Sequence, residues 1–160
     1  MSEKVEPLTA FAEMAFGRFD NAVKDLTEKE IEWKPVEEAN SIRWILTHLS
    51  QEWNMGIPRI FKGDPNYKPR NWPDDYVGNK TYSLKKILED LVKGRTAVMD
   101  GLGKVTPAEL DADIPLWGGT RKRRVGLMTY LLEIVHHEGQ IAYIRGAIGR
   151  RRQTDTHFLK

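Results

Sequence analysis

Apolar residues recur every three or four positions along most of this chain, the spacing of one face of an α-helix. Between residues 7 and 26, Leu8, Phe11, Ala12, Ala15, Phe19, Ala22, Val23 and Leu26 keep that spacing. It returns from Ser41 to Phe61 through Ile42, Ile45, Leu46, Leu49, Trp53, Ile57 and Ile60, with Asn40 or Ser41 as the cap and Pro58 late in the helix as a kink or stop. A third stretch, from Ser83 to Leu102, carries Leu84, Ile87, Leu88, Leu91, Val92, Val98, Met99 and Leu102. The last runs from Val125 to Ile148, with Gly149 as its stop and a polar tail expected to fray.

The intervening segments read as connectors. Thr27 with Glu30, and Thr106 with Glu109, have the spacing of capping boxes, and Pro35 bars a long helix after the first of them. Residues 63–82 are rich in proline, glycine and aromatic side chains, and residues 111–124 form a second long loop. Trp72 and Trp117, one in each loop, are candidates for a lid. No alternating pattern is long enough to build a sheet. The expectation is an all-α fold, an antiparallel four-helix bundle with two long connecting loops, as a single domain over residues 1–160.

Composition narrows the chemistry. Lys and Arg number 25 against 23 Asp and Glu, a formal net charge of +2, so overall charge argues for neither nucleic acid nor membrane. The basic clusters Arg121–Arg124 and Arg150–Arg152 stand at opposite ends of the last helix, about 35 Å apart by the helical rise, and do not make one patch. There is no apolar run near the length of a membrane span and no leader-like N-terminus, so a cytoplasmic protein is expected. There is no cysteine, which removes disulfides, zinc ribbons and a cysteine nucleophile. Any thiol chemistry must bring its thiol on a small molecule.

Polar residues interrupt the greasy faces in a pattern of their own. On the last helix Glu133 and His137 are four residues apart, on adjacent turns of the side that carries Tyr130, Ile134, Gln140, Ile141, Ile144 and Ile148. A buried carboxylate needs a cation, and no Lys or Arg lies one turn away on this face. On the second helix His48 and Glu52 lie beside the apolar stripe. His48, Glu133 and His137 together would make two imidazoles and a carboxylate, the donor set of a catalytic metal site with open positions. Gln140 would support a ligand from behind, and His136, about 100° round the helix, packs or supports rather than ligates. Two plainer readings stand beside this one: a core histidine is more often a packing residue, and Glu133 with His137 makes an ordinary helix ion pair. Glu133 to His136 spells E-x-x-H, but without the second copy a di-iron bundle uses, and H-E-x-x-H is absent.

"SIRWILTHLSQEW", then "HHEGQIAYIRGAIG" near the end, with "LTEKEIEWKP" before the second helix, resembles the DinB/YfiT-like superfamily over nearly the whole chain. The resemblance implies an antiparallel four-helix bundle with one divalent metal (zinc, nickel, iron or manganese), held by a residue of the second helix and two of the last. These positions are His48, Glu133 and His137 here. The commoner pattern has histidine where Glu133 stands; a glutamate is similar to the mycothiol-dependent isomerase branch. Characterised relatives use low-molecular-weight thiols such as bacillithiol or mycothiol, and others are described as metal-dependent hydrolases.

The readings that follow belong to different classes. One is a thiol S-transferase acting on small electrophiles with an exogenous thiol, or a hydrolase using water, in which the metal acidifies the nucleophile. Arg95, on the apolar face of the third helix, either holds a substrate carboxylate or snorkels at the bundle end. Another is a non-catalytic metal-binding or stress-response module. Leu127, Met128, Leu131, Leu132 and Val135 leave the last helix apolar almost all round, and a homodimer is expected from that excess.

Overall fold

The computed structural model describes residues 5–160; part of the N-terminal stretch behind the no-leader expectation lies outside them. Four helical rods dominate: α1 (Glu6–Val23), α3 (Ile42–Gln51) continued by α4 (Ile57–Lys62), α5 (Leu84–Lys104) and α7 (Arg123–Thr154). Two short helices, α2 (Glu28–Glu32) and α6 (Pro107–Leu110), start at the expected capping boxes of Thr27/Glu30 and Thr106/Glu109. Ser41 and Ser83 cap α3 and α5 by accepting from the Trp44 and Lys86 amides. The apolar faces meet in one core, where Phe16, Ile45, Leu49, Ile87, Leu131 and Ile134 are shut off from solvent.

The rods do not all run antiparallel. Asn54 bonds to the Asp90 carbonyl and Phe61 meets Gly101, so α3–α4 and α5 run side by side in the same direction. Arg18 pairs with Glu138 and Arg145 with the Ala22 carbonyl, so α1 and α7 are also parallel. By contrast His48 meets His137 while Ile60 meets Gly126, which sets α3–α4 against α7.

This mixed order explains the long loop. A chain leaving α4 must travel back along the rod before α5 can start in the same direction, which takes a long crossover. Residues 63–82 are that crossover, bound down along α3–α4: Arg59 donates to the Tyr67 carbonyl, Tyr76 hydroxyl lies 3.3 Å from Ser50 Oγ, and the Gly78 amide donates to Thr47 Oγ1. Tyr76 is buried and donates its hydroxyl proton to Asp90 at 2.9 Å.

Two further expectations need correction. Residues 111–124 are not all loop: β1 (Asp113–Leu116) and β2 (Gly119–Lys122) pair antiparallel, with Leu116 opposite Gly119. The strands are short and mostly exposed, so no apolar alternation marks them in the sequence. The tail does not fray at Gly149: α7 continues to Thr154 and the chain turns back. Phe158 and Leu159 then pack on the core, and Arg152 donates to both their carbonyls and to the buried Glu30. Gly149 stays helical because a glycine ends a helix only when the following chain needs the left-handed turn.

Candidate metal centre

The site lies where α3 and α7 cross. Ser41 starts α3 so that Ile42, Ile45, Leu46 and Leu49 face the core, and His48 falls at the edge of that face. Its ring stacks on Trp44, centroids 5.0 Å apart at 17°, which leaves its edge toward α7. On α7, Ile134 and Ile141 anchor the helix in the core and carry His137 inward with them. The His137 side chain is 7% exposed and that of Glu133, one turn earlier, 40%. One donor atom each from His48, Glu133 and His137 lie within 4.8 Å of one another, with His137 Nε2 at 3.4 Å from Glu133 Oε2.

The electrostatics favour ligand forms. Burial pushes the His48 pKa down, helped by His137 and opposed by Glu133. Burial also pushes His137 down, against the hydrogen bond to Gln140 and the Glu133 carboxylate. Both rings are therefore neutral at and above neutral pH, the state in which imidazole binds a metal. Behind the site His137 Nδ1 is engaged by Gln140 Oε1 at 3.0 Å, which leaves Nε2 for a ligand role. The two neutral imidazoles and one carboxylate thus fit a divalent ion.

Beside the donors is a cavity of about 250 Å³ lined by His48, Glu52, Trp117, Thr129, Tyr130 and Glu133. Glu52 reaches it through a break in the α3–α4 rod. Pro58 has no amide hydrogen for the carbonyl four residues back, and the preceding turn, Glu52–Gly56, widens into a π-turn in which the Ile57 amide reaches the Glu52 carbonyl. Glu52 Oε2 is buried and has no hydrogen-bond partner among the described residues. Burial, then repulsion from Glu133, raises this carboxyl to about 7, with Arg59 opposing. Tyr130 is raised too, by burial first and then by Glu52.

Trp117 forms one wall. It occupies the hairpin turn with Gly118, both in the left-handed region at φ 51° and 71°. A bulky residue rarely adopts that conformation. Here the indole lies parallel to the Tyr130 ring, centroids 6.5 Å apart. Trp72, the other lid candidate, packs on Tyr76 in the crossover and is not among the cavity-lining residues. Arg95 donates to Asp20 at 2.6 Å and lies over the Phe16 ring, so its guanidinium faces α1 and away from the donors.

The structure also places residues that the sequence reading did not single out. Thr129 and Tyr130 line the cavity, and Tyr130 was visible only as one more member of the α7 face. Glu138, within the same HHEGQ run, is buried on the opposite side and accepts both Nε and Nη2 of Arg18, at 3.1 and 2.9 Å. No sequence spacing links residues so far apart in the chain.

Comparison with known proteins follows this geometry. A sequence profile described as the DinB superfamily matches residues 12–141. Among solved structures, a DinB-like protein from Bacillus subtilis superposes with a TM-score of 0.69 at 15% identity, covering 88% of this chain and 92% of that one. A conserved protein from Enterococcus faecalis gives 0.65 at 17% identity, over 91% and 96%. No functionally curated protein matches.

Proposed function

Because the chain belongs to the DinB superfamily, we propose that it is a divalent-metal-dependent enzyme of small-molecule chemistry whose ion is held by His48, Glu133 and His137. The observation that carries this reading is the meeting, within 4.8 Å, of donors from two helices far apart in sequence, beside a cavity. The same reading takes the four rods as the superfamily's four-helix bundle, here with one long crossover. Zinc, nickel, iron and manganese all accept this donor set.

A bound divalent ion would acidify a thiol or water and polarise an electrophile. The chain's own residues would do the rest. Neutral His48 and His137 would present lone pairs to the ion, and Glu133 would offset part of its charge. Glu52 Oε2, buried on the cavity wall with no hydrogen-bond partner among the described residues, would take the proton that the nucleophile gives up. Trp117 and Tyr130 would wall one side of the site. With no cysteine in the chain, a transferred thiol is exogenous, and the proposed reaction is transfer of a low-molecular-weight thiol to a small electrophile. Hydrolysis is the second reading, because Glu52 serves a water as well as a thiol.

A homodimer is part of the proposal. Leu127 and Leu131 fill the core, whereas Val125, Met128 and Leu132 on the outer side of α7 stay exposed. Sedimentation should give a dimer at micromolar concentration, and Leu132→Glu a folded monomer; a monomeric wild type would end that part.

The test of function is elemental analysis of tag-free protein beside His48→Ala, followed by thiol-transfer and hydrolysis screens of the loaded enzyme. About one equivalent of metal lost in the variant, with turnover, is the expected result. Metal without turnover would leave a metal-binding module. No metal after reconstitution with all four ions would overturn the reading.

A further inference from the structure

The turn of the β-hairpin carries a residue that the turn does not favour. Trp117 and Gly118 both lie in the left-handed region, and Leu116 stands opposite Gly119, so this is the two-residue turn that suits Asn-Gly. A bulky side chain at the first position strains the backbone. The core does not hold the tryptophan there, since it is 52% exposed. The strands that carry it are anchored. Ile114 is buried, the Arg123 amide donates to the Ala112 carbonyl at 2.9 Å, and a Cβ on Gly126 of α7 would meet Leu116 at 2.7 Å. The hairpin thus brings the indole to a fixed place, parallel to the Tyr130 ring, where both line the small cavity.

The lining of that cavity narrows what can lie in it. Trp117 and Tyr130 give an aromatic wall, and the acidic lining residues are Glu52 and Glu133, with no Lys or Arg among them. An anionic group against that wall would face two carboxylates without a counter-charge. A cationic group would compete with a divalent ion for the Glu133 carboxylate. At about 250 Å³ the space falls below the range of about 300–1,000 Å³ that holds drug-sized ligands. A flat, uncharged group suits such a wall, stacked on the rings or edge-on to them.

We infer that Trp117 is a specificity-determining residue, held in a strained turn so that its indole and the Tyr130 ring bind a flat, uncharged part of a small ligand. That this ligand is a substrate rests on the function proposed above; the binding itself does not. Backbone strain of this kind persists where the surrounding structure holds it, as the anchored strands do here. Asparagine suits the turn, so Trp117→Asn removes the indole and keeps the hairpin. Trp117→Phe keeps a ring at the same place.

The probes are benzyl alcohol and benzoate, the same ring uncharged and anionic. At pH 8 the alcohol is titrated into wild type, Trp117→Asn and Trp117→Phe, with and without one equivalent of zinc, and benzoate into metal-free wild type. Binding is read from the Thr129 and Tyr130 amide signals in ¹H–¹⁵N spectra. The alcohol should shift both signals saturably in wild type, with or without zinc, and in Trp117→Phe. It should bind about three- to ten-fold more weakly to Trp117→Asn, in keeping with the loss of one aromatic contact. Benzoate should bind about ten-fold more weakly than the alcohol, or not at all. No shift in wild type, equal binding to Trp117→Asn, loss of binding on zinc loading, or benzoate as tight as the alcohol would overturn the inference. So would a Trp117→Asn protein that loses a dimer on sedimentation while binding the alcohol as before, which would give Trp117 to a subunit contact. Trp117-dependent binding in a protein that takes up no zinc would support the inference and defeat the metal reading.

Discussion

The Glu52 carboxylate rests over Gly56 where a side chain would otherwise begin. A Cβ on Gly56 would sit 2.5 Å from Glu52 Oε2 and 2.7 Å from Tyr130 Cε1. The glycine in the π-turn therefore lets a carboxylate and a phenol share one small volume at the cavity wall. Helix propensity alone would make Gly56→Ala stabilising by about 1 kcal/mol. Steric crowding should reverse the sign, giving a net loss of about 1–2 kcal/mol. Gly17 in α1, whose Cβ would meet nothing within 4 Å, is the control. Gly17→Ala should gain up to about 1 kcal/mol. Chemical denaturation of both variants checks the pair, and a stabilised Gly56→Ala would contradict the packing described.

Glu52 should also leave a mark on the pH dependence of the metal-free protein. Unfolded, its carboxyl releases a proton near 4.5; folded, it holds the proton to about 7. Between those values the folded state binds the extra proton, so this group's contribution to stability falls as pH rises, by up to about 3 kcal/mol. His48 and His137, both lowered, act the other way, and their contribution is lost as pH drops below 6.5. The net curve mixes the two, but the difference between wild type and Glu52→Gln isolates the carboxyl. Wild type should lose stability relative to Glu52→Gln between pH 4.5 and 7 and track it in parallel above. A constant difference across that range would show that Glu52 ionises normally.

What could be read from the sequence divides along physical lines. His48, Glu133 and His137 were legible because a carboxylate and imidazoles on apolar helical faces need an explanation, and the helical repeat places them. The capping boxes at Thr27 and Thr106 were legible because capping is local. The parallel run of α3–α4 and α5 was not, because direction is fixed by contacts such as Asn54 with Asp90, which no periodicity records. The length of the segment 63–82 was a clue to that crossover. The β-hairpin escaped because its turn is Trp117–Gly118, with a tryptophan where Asn or Asp would announce it.

The tail gives a direct test of that difference. A fraying tail could be cut after Thr154 at no cost. In the folded chain the cut removes Phe158, which meets Trp33 edge-on at 5.9 Å, and Leu159, both packed on the core. It also strips Arg152 of two carbonyl acceptors. Both side chains are half-buried, so the loss should be about 1–3 kcal/mol. Thermal unfolding of the shortened chain should show a lower Tm; an unchanged Tm would mean that the tail does not dock.

The pair between Arg18 and Glu138 separates the structural half of the HHEGQ run from its candidate chemistry. Glu138 is 10% exposed at its side chain and Arg18 57%, so the acid is the partner that suffers if the pair is broken. Arg18→Met leaves a buried carboxylate without its cation and should cost about 1–3 kcal/mol. Glu138→Gln keeps an acceptor oxygen for the guanidinium and should cost less. In the double variant neither charge is left behind, so its loss should be smaller than the sum of the two single losses. None of the three should change zinc affinity, because Glu138 points to α1 while His137 points to α3. Additive losses would show that the ion pair contributes little. A large drop in zinc affinity in Glu138→Gln would place Glu138, rather than Glu133, near the metal.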